Sequence, residues 1–158
     1  MKGNAKLIEV LNQLLADELT AISQYMVHSE MCKHWGFDGL HEAVEARALD
    51  EMHHAEWLIG RILFLEAIPI VSKLNPMEIG KTVPQMIAND EKAELGAVKA
   101  YNEAIALAGD VGDEGSADLL VKILGDEEDH IDWGEKQQAQ IEQMGLENYL
   151  ALQIGDEE

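Results

Sequence analysis

Two Glu-x-x-His motifs are the residues of this sequence most suited to metal chemistry. Glu51 and His54 form the first motif, and Glu127 and His130 repeat it 76 residues later. In an α-helix, residues three apart lie on one side, so each motif can present a carboxylate and an imidazole to the same ion. Such donors suit Fe(II) or Mn(II) better than a structural zinc, which favours thiolates. The motifs therefore predict two metal-binding helices.

Two further glutamates follow the same repeat. Glu18 and Glu94 are also 76 residues apart, and each precedes its Glu-x-x-His motif by 33 residues. One glutamate from each of two helices, with a Glu-x-x-His from each of two others, is a ligand set already established for di-iron four-helix bundles. A lone glutamate is usually a solvated helix residue, but a duplicated set favours a di-metal site. The predicted catalytic and metal-binding residues are Glu18, Glu51, His54, Glu94, Glu127 and His130.

Residues around these ligands are duplicated too. Tyr25 and Tyr101 each follow a ligand glutamate by seven residues, which is two helical turns, so either hydroxyl can hydrogen-bond a ligand carboxylate. Asp50 and Asp126 each precede the glutamate of a motif. Four buried carboxylates without a metal would be costly, so the metal-free site is expected to take up protons or water.

Apolar residues recurring at intervals of three and four predict four long helices. Each would be on the order of 40 Å long, and short glycine hinges at 36–39 and 109–115 would make each successive pair antiparallel. The predicted helices run from Ala5 to about His34, from Leu40 to about Ala67, from Val83 to about Ala108 and from Ser116 to Met144.

Three prolines separate the two helix pairs. Pro69, Pro76 and Pro84 punctuate a segment that cannot form one continuous helix, so we expect it to cross back along the bundle. A short fifth helix is predicted at Leu146 to Ile154. The expected fold is all-α: one domain over residues 1–158, with a long crossover between the second and third helices and a short C-terminal helix.

The chain is strongly acidic, with 31 acidic and 11 basic residues and a formal charge of -20. This charge argues against binding nucleic acid or an anionic membrane and favours cations as partners. Cys32 is the sole cysteine, so no intramolecular disulfide can form. We find no secretion signal or membrane-spanning segment, and the cytoplasm is the expected location.

The segments around the motifs resemble the bacterioferritins. Residues 50–56 and 61–66 with Pro69 look like the second helix of that family, while 127–130 and 145–150 look like its fourth and fifth. The resemblance covers essentially the whole chain. It implies a ferritin-like fold and a hollow homo-oligomeric shell of 24 subunits, which oxidises Fe(II) with dioxygen or hydrogen peroxide and stores ferric mineral.

The resemblance also implies individual roles. Glu18 with His54 would bind one iron and Glu94 with His130 the other, while Glu51 and Glu127 bridge the two. A ferredoxin would be the expected electron donor for iron release.

Met52 is a second mark of the family. It neighbours Glu51 but points about 100° away from it, and on its own it would be read as a packing residue. The resemblance implies that Met52 is an axial ligand of a b-type haem, shared with its symmetry mate across a two-fold dimer interface. The histidines without a role, expected at solvent or interface positions, are His28, His34, His41 and His53.

Two other function classes remain open at this point. One is a discrete di-iron or di-manganese oxidoreductase of the same fold, such as a peroxidase or a catalase-like enzyme, without mineral storage. The other is a helical scaffold whose carboxylates are merely solvated, in which substitution of Glu51 or His54 would change neither metal content nor oxidation.

Overall fold

Five helices, in the order the apolar stripes predict, make up a computed structural model that describes residues 1–156. The first four form the bundle and the fifth is short, so the predicted fold class is confirmed. The helices are α1 (Ala5–His34), α2 (Asp38–Phe64), α3 (Val83–Asp110), α4 (Glu114–Met144) and α5 (Leu146–Ala151).

Side-chain caps fix where three of the four long helices begin. The Asn4 side chain accepts hydrogen bonds from the first turn of α1, and the Thr82 side chain does the same for α3, whose first turn holds Pro84. Asp113 accepts from the Ser116 backbone N–H and begins α4. Each cap satisfies N–H groups that have no partner within the helix.

Several predicted boundaries shift for local reasons. The second helix begins at Asp38 rather than Leu40 and ends at Phe64 rather than Ala67, because Glu66 takes a left-handed backbone conformation with φ 62°. The predicted hinge at 109–115 shortens to 111–113, since α3 continues through Gly109 and α4 begins two residues before Ser116. The last helix ends at Ala151, three residues before Ile154.

Hydrogen bonds at both ends of the first pair show that α1 and α2 are antiparallel. At one end the Gly3 N–H donates to the Leu65 carbonyl at 3.0 Å. At the other end His41 Nδ1 donates to the Ser29 carbonyl at 3.1 Å. The main core fills the half of the bundle nearer the first of these contacts, and its fully buried members include Leu7, Leu11, Leu58, Ile62, Leu120 and Ile123.

The crossover between α2 and α3 runs along α1, as the prolines predicted. Side chains on one face of α1 accept hydrogen bonds from successive backbone N–H groups of the crossover, which replaces the bonds that a helix or sheet would supply. The pairs are Ile70 N–H to Asn12 (2.8 Å), Asn75 N–H to Thr20 (2.9 Å), Glu78 N–H to Gln24 (3.0 Å) and Gly80 N–H to His28 (2.9 Å).

One of these anchors corrects a prediction. We expected His28 at a solvent or interface position without a role, but it is fully buried. Because its Nε2 accepts from the Gly80 N–H, its Nδ1 carries the proton and donates to Asp90 Oδ1 at 2.9 Å. His28 therefore ties α1, the crossover and α3 together.

The fifth helix closes the other end of the bundle. Tyr149 is fully buried in a second core cluster that includes Cys32, Leu40 and Met86. Its hydroxyl donates to Gln137 Oε1 on α4 at 2.7 Å. Within residues 1–156, none of the helices has both the length and the hydropathy needed to cross a membrane.

Candidate metal centre

All six predicted ligands meet inside the bundle, contributed by its four long helices. Each is buried, with at most 6% of its surface exposed. Their donor atoms form two groups in which every atom lies within 4.8 Å of the others. The first group is Glu18, Glu51, His54 and Glu127, and the second is Glu51, Glu94, Glu127 and His130.

The ligands are buried because they occupy core positions of amphipathic helices. On α2, Leu58 and Ile62 follow His54 at intervals of four and are fully buried. On α4, Ile123 precedes Glu127 by four residues and is also fully buried. Each apolar stripe thus continues through the ligands at helical spacing, which places carboxylates and imidazoles where the core would otherwise be apolar.

The two histidines turn the same ring nitrogen toward the carboxylates. His54 Nδ1 lies 2.9 Å from Glu127 Oε1 and 3.6 Å from Glu18 Oε1. His130 Nδ1 lies 2.9 Å from Glu51 Oε1 and 3.2 Å from Glu94 Oε1. Both Nδ1 atoms therefore belong to the donor set.

The outer nitrogen of each histidine is held by an aspartate from the other half of the repeat. His54 Nε2 lies 2.9 Å from Asp126 Oδ2, and His130 Nε2 lies 3.0 Å from Asp50 Oδ2. A carboxylate on the far nitrogen fixes the orientation and tautomer of a metal-binding imidazole. The sequence showed the repeated aspartates, but their crossed pairing depends on how α2 packs against α4.

The two tyrosines cross between the halves in the same way. The Tyr25 hydroxyl donates to Glu94 Oε1, and the Tyr101 hydroxyl donates to Glu18 Oε1. The predicted hydrogen bond between each tyrosine and a ligand carboxylate is confirmed. Each partner lies on the opposite helix of the α1 and α3 pair, not on the tyrosine's own helix.

Several donor atoms at the centre have no hydrogen-bond partner in the part of the chain that the structure describes, residues 1–156. These buried atoms are Glu18 Oε2, Glu51 Oε1, His54 Nδ1 and Glu127 Oε1. Although His54 Nδ1 and Glu127 Oε1 are only 2.9 Å apart, their geometry is not that of a hydrogen bond. Buried polar atoms are almost always paired, so unpaired carboxylate and imidazole atoms converging in this way fit divalent cations.

Proton uptake balances the charge of the metal-free cluster. Burial, with the Glu51 charge adding to it, raises the pKa of Glu18 well above its usual range. Burial also raises the pKa of Glu127 to about 12, with Glu94 adding to the effect. For His130, burial lowers the pKa but the carboxylates of Glu51 and Glu94 outweigh it and raise the pKa to about 10. Without metal, the cluster therefore holds protons at neutral pH, as expected from charge balance.

Sequence reasoning missed one residue of the centre, Arg47. Its side chain is buried, and Nη2 lies 3.2 Å from Glu94 Oε1. The guanidinium carbon is 4.8 Å from the centre of the Tyr25 ring and 5.0 Å from that of Trp133. Arginine is rarely buried without a partner, but nothing in the sequence reveals that position 47 faces the ligands.

A cavity of about 340 Å³ connects the cluster with the surface between α1, the crossover and α3. Its inner wall includes the carboxylates of Glu18, Glu51, Glu94 and Glu127. Its outer wall includes Glu78 and Lys92, which are 51% and 72% exposed and form a 2.7 Å ion pair. Small ions therefore have an opening toward the ligands, with acidic side chains at both of its ends.

Met52 belongs to neither group of donors. It is 40% exposed on α2 while its neighbour Glu51 is buried, and Leu49, one turn earlier, is 50% exposed. On the partner helix α1, an apolar groove is lined by residues that include Met26, Val27, Met31 and Trp35. The α1 and α2 pair thus presents apolar surface that the rest of the described chain does not cover.

Comparison with known proteins points to one family. The sequence profile of the ferritin-like domain matches residues 8–144. A bacterial ferritin of Synechocystis is 44% identical over 155 residues, covering 98% of this chain and 99% of the relative. A bacterial ferritin of Pseudomonas aeruginosa is 43% identical, covering 98% and 100%. A bacterioferritin of Rhodobacter capsulatus is 39% identical, covering 96% and 94%.

Proposed function

We propose a mechanism from one premise: this chain belongs to the bacterioferritins of the ferritin-like family. The protein is a ferroxidase that oxidises Fe(II) to Fe(III) and stores the ferric product. The observation that carries the mechanism is the pair of overlapping donor groups buried inside the bundle. Nothing in the comparisons favours the discrete peroxidase or catalase-like alternative.

We assign one Fe(II) position to each group. Glu18 and His54 would bind the first ion and Glu94 and His130 the second, with Glu51 and Glu127 shared between them. The support is that only these last two glutamates belong to both groups. Four carboxylates also roughly neutralise two divalent ions, so metal binding would relieve the cost of burying them.

The residues of the centre bind the substrate ions and manage protons. Two Fe(II) ions supply two electrons, and with two protons these reduce dioxygen to hydrogen peroxide or hydrogen peroxide to water. Asp50 and Asp126 keep the histidine rings aligned. Protons displaced from Glu127 and His130 by the ions are available to the reduced oxidant.

The cavity beside α1 and α3 is our candidate for the Fe(II) entry route. It reaches four ligand carboxylates, and its exposed end carries Asp17 and Glu78, which attract cations. Lys92 pairs with Glu78 there. An entering cation must therefore either break this ion pair or share the Glu78 carboxylate with Lys92.

We propose that a b-type haem binds between two subunits, where Met52 and the same residue of the second subunit would hold its iron. The exposed Met52 thioether and the uncovered apolar surface of Leu49 and Met26 fit such a group. When bound, haem supplies one-electron transfer. Met52 would hold the iron, and the apolar side chains would exclude water from the macrocycle.

The family implies a homo-oligomeric shell around the stored iron, and we propose 24 subunits built from haem-bridged dimers. We further propose that residues 1–158 form a single domain, that a ferredoxin supplies electrons for iron release, and that the protein works in the cytoplasm. A single buried cysteine, Cys32, is consistent with a reducing compartment.

Two substitutions test this mechanism, one of a ligand shared by both ions, Glu51, and one of a ligand of a single ion, His54. Glu51→Ala and His54→Ala should each lower the initial rate of oxidation, at two Fe(II) per subunit, by about 100-fold or more, since even outer-shell changes cost 10–100-fold. His53→Ala is the matched control, because His53 is the adjacent, exposed histidine. Rates in the two ligand variants equal to that of the control would exclude the proposed centre.

A further inference from the structure

The metal centre has duplicated ligands but its two halves are not equivalent. Arg47 lies on α2 close to the ligands, whereas the residue 76 positions later on α4 is Ile123. Ile123 is fully buried in the main core. One half of the centre therefore contains a buried arginine where the other half contains an aliphatic side chain. The cation over Trp57, the repeat mate of Trp133, is the exposed Lys122.

Packing keeps Arg47 in place. Its guanidinium lies within 5.0 Å of the centres of the Tyr25 and Trp133 rings, and its side chain is 7% exposed. Arginine does not lose its proton in proteins. The positive charge beside Glu94 is therefore present at every working pH and in the presence or absence of metal.

The carboxylate oxygen next to Arg47 is already occupied. Glu94 Oε1 is approached by Arg47 Nη2 at 3.2 Å and by His130 Nδ1 at 3.2 Å, and it accepts the Tyr25 hydroxyl as well. An ion at this position must compete with these donors or share the oxygen with them.

The other position is different. Within residues 1–156, the four carboxylate and imidazole atoms that are buried without a hydrogen-bond partner all belong to the first group, which shares Glu51 and Glu127 with the second. Two of these atoms, Glu18 Oε2 and His54 Nδ1, come from residues that belong to that group alone. A cation arriving there replaces no hydrogen bond to these two atoms and meets no adjacent arginine. The tyrosine is common to both positions, because Glu18 Oε1 accepts the Tyr101 hydroxyl as Glu94 Oε1 accepts that of Tyr25.

We propose that Arg47 makes the two metal positions unequal, so that a divalent cation binds first at the Glu18 and His54 position and more weakly at the Glu94 and His130 position. The proposal rests on the function proposed above and goes beyond it by assigning an order of filling. The weaker position would then be the one whose ion exchanges more readily. Arg47 is a positioning residue, because it acts through the carboxylate of Glu94.

Co(II) titration of the chelator-treated, assembled protein tests the order of filling. Two steps of one ion per subunit are expected, followed through the absorption of bound Co(II) and by calorimetry. His54→Ala should remove the tighter step, whereas His130→Ala should leave it and remove the weaker one. Two steps of equal affinity, or loss of the tighter step in His130→Ala, would overturn the proposal.

Substitution of Arg47 tests its role directly. Arg47→Met should tighten the second step about tenfold or more, because a full charge close to a dication is removed from a buried site. Arg47→Lys keeps the charge and should therefore keep the two steps apart. This variant remains available as a test if Arg47→Met does not fold. Arg61→Met is the charge-matched control, since Arg61 binds Asp113 and Ser116 outside the cluster.

These outcomes separate the proposal from the function it rests on. An unchanged second step in Arg47→Met would show that Arg47 does not separate the two positions, while leaving the ferroxidase centre intact. Merging of the steps in Arg47→Lys would contradict the positive charge as the cause of the separation. Failure of the unaltered protein to bind two Co(II) per subunit would instead contradict the centre itself, and with it the proposed order of filling.

Discussion

Each histidine of the centre depends on an aspartate from the other half of the repeat. Asp126 on α4 holds His54 on α2, and Asp50 on α2 holds His130 on α4. The ligands could be predicted because each recurs in sequence at a fixed offset. Their crossed partners could not, since they depend on which faces of α2 and α4 meet. Arg47 has no equivalent in the other half of the repeat, so the repeat could not identify it as part of the metal centre.

Removing one orienting carboxylate should weaken metal binding without removing a ligand. We expect Asp126→Asn to lower the Co(II) affinity of the His54 position by about 10- to 100-fold, the usual cost of losing such a partner. Calorimetric titration of the metal-free protein with Co(II) measures this loss of affinity. Asp129→Asn, an exposed acid on the same helix, is the control, and equal affinities in the two variants would contradict the orienting role.

Protons held by the metal-free cluster should leave when metal binds. Because the pKa of Glu127 is raised to about 12 and that of His130 to about 10, both hold protons at pH 7. Binding of two Co(II) ions should therefore release more than one proton per subunit. Calorimetry in buffers of different ionisation enthalpy counts these protons. Heats that do not depend on the buffer would show that the cluster was already deprotonated.

The same shifts set how stability of the metal-free protein depends on pH. The pKa of His130 rises from 6.5 to about 10 on folding, so its contribution is complete below pH 6.5 and is lost as the pH rises through 10. We expect the thermal midpoint of metal-free protein to fall between pH 6.5 and 10. In the His130→Ala variant this fall should be smaller, and a fall of equal size would assign it to other groups.

Among the elements, the crossover shows what the sequence could and could not reveal. Three prolines predicted a segment without continuous helix, and two of them, Pro69 and Pro76, lie in it while Pro84 lies in the first turn of α3. The place of the segment between the helix pairs predicted its return along the bundle. The way it is held could not be predicted, because its backbone N–H groups bind polar side chains of α1 such as Gln24 and His28. In the sequence these resemble ordinary polar positions of an amphipathic helix.

Gly80 provides a test of how tightly the crossover joins α3. A methyl group there would lie 2.5 Å from the Met86 backbone nitrogen, a contact that only movement of the backbone can relieve. We expect Gly80→Ala to lower the free energy of unfolding by about 1–3 kcal/mol. Gly125→Ala, in the middle of α4 with open space around it, should instead stabilise by up to about 1 kcal/mol. Chemical denaturation compares the two, and equal midpoints would contradict the close packing at Gly80.

For the whole molecule, the important surfaces are those that a single subunit leaves exposed. The exposed apolar residues of α1 and α2, including Met26, Leu49 and Met52, suit burial against another copy of the chain. The formal charge of -20 suits a molecule that attracts and concentrates cations. Periodicity predicted the bundle, but the assembly follows from family membership alone, since contacts between subunits leave no period in the sequence.

Met52 should be needed for haem but not for assembly or iron oxidation. We expect Met52→Leu to lose the absorption of methionine-ligated haem while its elution volume and ferroxidase rate stay unchanged, because the thioether is lost and the apolar volume is nearly kept. Met144→Leu, a partly exposed methionine at the end of α4, is the control. An unchanged haem spectrum in Met52→Leu would remove Met52 from the haem site.

The central claim is that the centre serves iron storage within a shell. The most direct measurement adds Fe(II) under air far beyond two per subunit, separates the products by size, and assays iron and protein in each fraction. We predict ferric mineral eluting together with protein as a particle of about several hundred kilodaltons. Iron that stops at about two per subunit, on a small oligomer, would contradict storage and indicate a discrete di-metal enzyme.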